Sequence, residues 1–367
     1  MIAYKPHPDL PPPITSVGIL GWLRKNIFSS FFNTILTFLS LYLIYLIIPP
    51  IVQWAFINAD WIGQNRDACT SGGACWVFIN VRFSQFMYGF YPADAYWRVN
   101  LAFVLFAVLI IALLIENFPK KGWLIIFTLV GYPIIAFYLF HGGALGLEIV
   151  ETDKWGGLML TLILATIGIV LSLPIGILLA LGRRADNMPI VKSLCIVFIE
   201  FVRGVPLITV LFMASVMLPL FLPEGVNFDK LLRVLIGIVL FSSAYMAEVV
   251  RGGLQAIPKG QYEAAEALGF GYWKSTLLII LPQALKLVIP GIVNNFIGLF
   301  KDTTLVLIIG LFDLLAVVQA AFADPHWLGY AIEGYVFVAV IYWMFCFSMS
   351  RYSQHLEDKL HTGHKRN

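Results

Sequence analysis

Long apolar runs broken by short polar stretches dominate this chain of 367 residues. A helix that crosses a bilayer needs about 20 mostly apolar residues. Eight runs meet or approach that length: 28–51, 99–116, 122–140, 157–182, 195–222, 231–252, 285–312 and 328–349. The pattern predicts an all-α integral membrane protein with eight transmembrane helices. Pro206 and Pro290 fall within the fifth and seventh runs and should interrupt them. Residues 1–27 read as a cytosolic tail, with Pro11-Pro12-Pro13 and no signal-peptide core. Residues 356–367 read as a cytosolic basic tail holding His361, His364, Lys365 and Arg366.

Composition supports this reading. The chain is 60% hydrophobic and 12% charged, against a charged share of about 25% in soluble domains. A net charge of +3 gives no case for nucleic acid, but its distribution orients the helices. With the N-terminus inside, sixteen Lys and Arg fall in cytoplasmic segments and five in outer ones: Arg66, Arg82, Arg98, Lys154 and Lys230. Short loops with that excess stay on the cytoplasmic side, which predicts both termini in the cytoplasm.

That orientation puts the large loop 53–100 outside. Cys69 and Cys75 flank Thr70-Ser71-Gly72-Gly73-Ala74 there, a turn able to close a disulfide in an oxidising compartment. The loop is dense in aromatics, among them Trp54, Trp61, Trp76, Phe86, Tyr91 and Trp97. Two readings of them stand: a cover resting at the membrane interface, or a docking surface for a soluble partner. Cys195 and Cys346 lie in apolar segments and read as packing residues.

Between the sixth and seventh runs lies the most specific stretch, the loop 257–282. Pro258 and Gly260 should end the incoming helix, Gln261 to Leu268 is rich in Ala, Glu and Leu, and Gly269 and Gly271 should stop it. So short a helix is not stable alone. It must rest on neighbouring loops or on a partner, and Ala264, Ala265 and Ala267 would let a partner approach closely.

Glu263-Ala264-Ala265, three residues, Gly269, nine residues, then Ile279-x-Leu281-Pro282 resembles the EAA loop of ABC importer permeases. The resemblance implies that Gln261, Glu263, Ala264, Ala265, Gly269, Leu281 and Pro282 couple the chain to a cytosolic ATPase. Glu200-Phe201-Val202-Arg203-Gly204-Val205-Pro206-Leu207, Ala244 to Gly253 and Lys301-Asp302-Thr303-Thr304-Leu305 resemble the polar amino-acid permeases of the histidine/glutamine type over about 151–355. The outer loop and the first three runs, 28–150, are similar to the larger permease subunit of general L-amino-acid ABC transporters. This implies a five-helix type I permease core, 151–355, preceded by three extra helices.

Other constellations carry less. Gly269-Phe270-Gly271-Tyr272-Trp273-Lys274-Ser275 is no phosphate-binding loop, because Trp273 stands where glycine must precede lysine. No histidine lies mid-span to hold a metal, so neither metal nor cofactor is expected on this chain. Glu200 with Arg203, and Glu248 with Arg251, can pair locally at i,i+3. They read either as structural ion pairs at a gate or as substrate contacts. Asn294 and Asn295 follow Pro290-Gly291 in an otherwise apolar run. They read either as lining a substrate path or as bonding between helices.

The expected function is a permease subunit of an ATP-driven importer that moves L-amino acids by alternating access, with no catalysis of its own. Its implied partners are a second related permease, two ATPase subunits holding ATP and magnesium, a periplasmic amino-acid-binding protein, and membrane lipid. The rival is a secondary transporter driven by an ion gradient, for which Glu248, Asp302, Asp313 and Glu333 are available carboxylates.

Overall fold

A computed structural model describes residues 18–115, 118–144, 146–223 and 228–360. The remainder, including most of the expected N-terminal tail and residues 361–367 of the C-terminal one, lies outside the described residues. The chain divides into two compact units, residues 1–77 and 78–367.

In the first unit, α1 (Gly18–Asn26) precedes α2 (Phe31–Val52), so part of the expected tail is helical. Ser30 caps α2 through Asn33 N. Apolar on every side, α2 buries none of its residues within the chain, as suits a helix solvated by lipid or by another subunit. It continues as a π-turn, Gln53–Ile57, into the loop that carries the cysteines. There Asp60 N donates to Ala74 O, and Trp76 N to Asp60 O, each at 2.9 Å.

The second unit takes up most of α3 (Trp76–Tyr88) and continues with α4 (Tyr96–Leu114). Next come α5 (Lys121–Ile126) and α6 (Tyr132–His141), joined by a π-turn. Then follow α7 (Gly157–Arg183), α8 (Pro189–Gly204), α9 (Leu207–Phe212), α10 (Lys230–Ala256) and α11 (Lys259–Ala267). The chain ends with α12 (Tyr272–Ser275), α13 (Leu281–Leu287), α14 (Ile289–Asp302), α15 (Leu314–Phe322) and α16 (Ala331–Leu360). Among the described residues, seven helical stretches are long and apolar enough to cross a membrane, and the α8–α9 pair makes an eighth if it is one span.

The proline expectations hold unequally. At Pro206 the fifth run does break, and the helices on either side meet at 105°. Pro290 does not interrupt a helix. It occupies the first turn of α14, where its missing N–H has no partner to lose. The break lies at Val288, with φ −111° and ψ 12°. The last helix runs to Leu360, past the expected boundary at 355.

Two apolar cores stack along the paired helices α7 and α10. One joins Trp155, Leu160 and Leu164 to Val234, Ile238 and Val306, and the other joins Ala180 and Leu181 to Met246, Val250, Ile280 and Ala284. Gly157 starts α7 at φ +63°, its N–H bonded to Phe312 O at 2.9 Å. A Cβ at Gly157 would lie 2.3 Å from the Phe86 carbonyl, so only glycine fits this meeting of three backbone segments. Nearby, fully buried Asp313 caps α15 through Ala316 N (2.9 Å) and accepts from Tyr342 Oη (3.2 Å).

Candidate coupling and translocation site

At the opposite end of α7 and α10, α11 packs against the second core through Tyr262. Its stop follows from backbone chemistry. Gly269 adopts φ +76°, Gly269 N donates to Glu266 O at 2.9 Å, and Phe270 N donates to Ala265 O at 3.1 Å. Those two bonds form a Schellman cap, which needs a left-handed residue at this point. Gly271 has no part in that stop; it is extended and leads into α12.

One expectation for this helix is corrected. Ala265 is 1% exposed and faces the core, so it seats the helix and offers no surface to a partner. The outward face is Gln261, Glu263, Ala264 and Ala267, extended beyond the cap by Leu268, Tyr272 and Trp273. The return segment is also anchored: Leu281 is buried, Pro282 is exposed, and Gln283 Nε2 donates to Gln261 Oε1 at 3.1 Å. Arg184, the residue that caps α7, donates to Tyr262 Oη at 3.1 Å.

Above this helix lies a cluster of charges, and here the sequence pairing is half right. Glu248 binds Arg251 at 2.6 Å, as i,i+3 spacing predicts. Glu200 does not pair with Arg203. It binds Arg183 at 2.8 Å, while Arg203 turns to Glu248 at 3.6 Å and lies over the Tyr245 ring. Arg183 also reaches Glu248 at 2.8 Å. Glu248 thus gathers three arginines from α7, α8 and α10. Arg183 ends a separate helix, which is why spacing along the chain does not reveal its role.

Asn294 is exposed and Asn295 half-buried on α14, and neither amide makes a hydrogen bond among the described residues. Among the described residues, neither amide bonds one helix of this chain to another. Gly298, Lys301 and Asp302 follow at helical spacing on the same side. Lys301 is exposed, Asp302 is half-buried, and among the described residues neither joins an ion pair. Both lie just past the middle of the 21-residue span Ile289–Ile309. Charges at that depth are costly unless they face a wet cavity or a ligand. The sequence alone left Lys301 without a role and offered Asp302 only as a carboxylate for an ion-driven transporter, although a lysine within an apolar run was signal enough.

Residues 172–362 match the family of the binding-protein-dependent transport system inner membrane component. The chain belongs to that family. It is 60% identical over 357 residues to the inner membrane amino-acid ABC transporter permease protein YhdY of Escherichia coli, covering 97% of each chain. It is 43% identical to BztC of Rhodobacter capsulatus, a glutamate/glutamine/aspartate/asparagine transport system permease protein, over 97% of this chain and 96% of that one. A solved amino acid ABC transporter with histidines is similar over 55% of this chain and 92% of its own, at 29% identity and a TM-score of 0.49.

The loop 53–100 of this permease divides in two. In the first unit Cys69 and Cys75 are joined as a disulfide, with Cα atoms 5.6 Å apart. Asp60 accepts from Ser71 N at 3.1 Å and Ser71 Oγ at 2.7 Å. These bonds hold its carboxyl below the usual carboxylate range, the hydroxyl contributing most. Trp61 is half exposed there and packs at a tilt against Trp76, with centroids 5.7 Å apart. In the second unit Phe86 and Tyr91 are buried, so these two aromatics belong to the core and not to an interfacial cover. Tyr91 Oη donates to Phe140 O at 2.7 Å.

Proposed function

We infer that this permease carries L-amino acids inward across the inner membrane as one transmembrane subunit of an ABC importer. The observation that carries the reading is α11. It is a short helix seated by Ala265 and capped at Gly269, and its outward face is covered by nothing among the described residues. A helix of nine residues persists in that position only if packing holds it. The packing found here leaves one face free for an ATPase groove. The names of the Escherichia coli and Rhodobacter capsulatus relatives support an amino-acid cargo.

In this reading both termini are cytoplasmic, and α11 and the Glu248 cluster lie on the cytoplasmic side. ATP and magnesium sit on two ATPase subunits, a second permease completes the path, and a periplasmic binding protein delivers the substrate. ATP-driven closure moves α11 and, through the second core, the inner ends of α7, α10 and α14. The polar stripe of α14 then faces alternately outward and inward. An amino acid presents a carboxylate and an ammonium at neutral pH. Lys301 and Asp302 offer the opposite charges side by side, and the amides of Asn294 and Asn295 offer donors and acceptors of either sense.

Reconstitution of the complete complex in proteoliposomes tests this. Uptake of a labelled amino acid should require ATP with the vesicles and persist when ionophores abolish every ion gradient. Accumulation that follows an ion gradient and ignores ATP would overturn it.

A further inference from the structure

Two neighbouring arginines at the end of α7 hold different partners. Arg184 Nη1 donates to the Leu254 carbonyl on α10 and to Tyr262 Oη on α11, each at 3.1 Å, and its guanidinium lies 5.6 Å from the Tyr262 ring centroid. Tyr262 Oη itself donates to Leu254 O at 3.2 Å, which closes a three-way contact. Arg183 Nη1 binds Glu200 on α8 and Glu248 on α10, both at 2.8 Å. A single peptide bond therefore joins the tie on the coupling helix to the tie on α8.

We propose that the Arg183–Arg184 dipeptide transmits displacement of α11 to α8, with Arg184 and Tyr262 as positioning residues. The proposal rests on the coupling role inferred for α11. Its two halves differ in strength. The Arg184 side combines a planar guanidinium, a ring and a shared carbonyl, so it moves as one piece. On the Arg183 side, the Glu200 side chain is 54% exposed and that of Glu248 is 14% exposed. Water screens the Glu200 bond more, so it yields first when Arg183 moves. Because α8 meets the following helix at 105°, it can turn as a separate lever once that bond is lost.

The test measures uptake and ATP hydrolysis in the same vesicles holding the complete complex. It compares Arg184→Ala, Arg184→Lys, Tyr262→Phe and the double variant Arg184→Ala with Tyr262→Phe. Substrate moved per ATP should fall about ten-fold in Arg184→Ala, the effect of losing one charge-assisted hydrogen bond. Lysine should recover part of it, keeping the charge without the fork. The double variant should be no worse than Arg184→Ala, because both changes cut one link. Unchanged ratios in all variants would overturn the proposal, and so would losses that simply add in the double variant. If Arg184→Ala does not assemble, Tyr262→Phe decides the matter, and a wild-type ratio there overturns it. Failure of the coupling role itself looks different: wild-type vesicles would then accumulate nothing when ATP is supplied.

Discussion

Replacing Gly269 with alanine isolates the energetics of the α11 cap. At φ +76° an L-residue carries a left-handed penalty of about 1–2 kcal/mol. No heavy atom lies within 4 Å of the position a Cβ would take, so no steric term is added. The penalty falls on the two bonds that close the cap, Gly269 N to Glu266 O and Phe270 N to Ala265 O. Without them the chain leaves α11 in another direction and carries Phe270, Tyr272 and Trp273 with it. If the ATPase binds only the capped loop, its affinity should fall about 5- to 30-fold. Titrating purified ATPase onto the permease complex in nanodiscs reads this directly. Asparagine tolerates the left-handed region better than alanine, so Gly269→Asn should fall between wild type and Gly269→Ala. Alanine that binds like wild type, or asparagine that binds worse than alanine, would refute the reasoning.

Three further outcomes follow from the geometry. Glu248→Gln removes the carboxylate that Arg203 and Arg251 bind and leaves Arg183 with Glu200 alone, which should cost about 3 kcal/mol, seen as a lower unfolding midpoint of the assembled complex; Glu200→Gln, at the exposed edge, should cost under about 1 kcal/mol. Lys301→Gln should raise the substrate concentration for half-maximal uptake at least ~10-fold, the worth of one charge-assisted contact to a carboxylate, and Asn295→Ala should shift it less; unchanged values in assembled complexes would remove those residues from the path. The Asp60–Ser71 tie should be complete at neutral pH, because the folded carboxyl sits below its ordinary range. It should weaken as pH drops past the unfolded aspartate value and vanish below the folded one; Ser71 amide exchange, corrected for intrinsic rate, reads this, and Asp60→Asn should abolish the pH dependence.

Apolar runs made the membrane helices legible, because a spanning helix must satisfy its backbone internally and hide its polar groups. The cap at Gly269 was equally legible, since glycine, alanine and glutamate carry their preferences locally. Pairing across helices was not. Glu200 and Arg203 stand at ideal spacing, yet Arg183 lies nearer to Glu200, and no local rule ranks partners on different helices. The seating of Ala265 has the same cause, since a run of alanines does not say which one faces the core. Pro290 shows that a proline reads differently by register: at a first turn it begins a helix, and deeper in it breaks one.

The crowded backbones at Gly157 bear on how the chain is made. Its amide is bonded to Phe312, which the ribosome delivers only after α14 has been synthesised. On its other side it abuts Phe86, long since translated. The Gly157 end of α7 thus lacks that partner until α8 to α14 have been synthesised. A chain truncated before Phe312 would expose that amide, and with it a mark by which quality control could recognise unfinished permease.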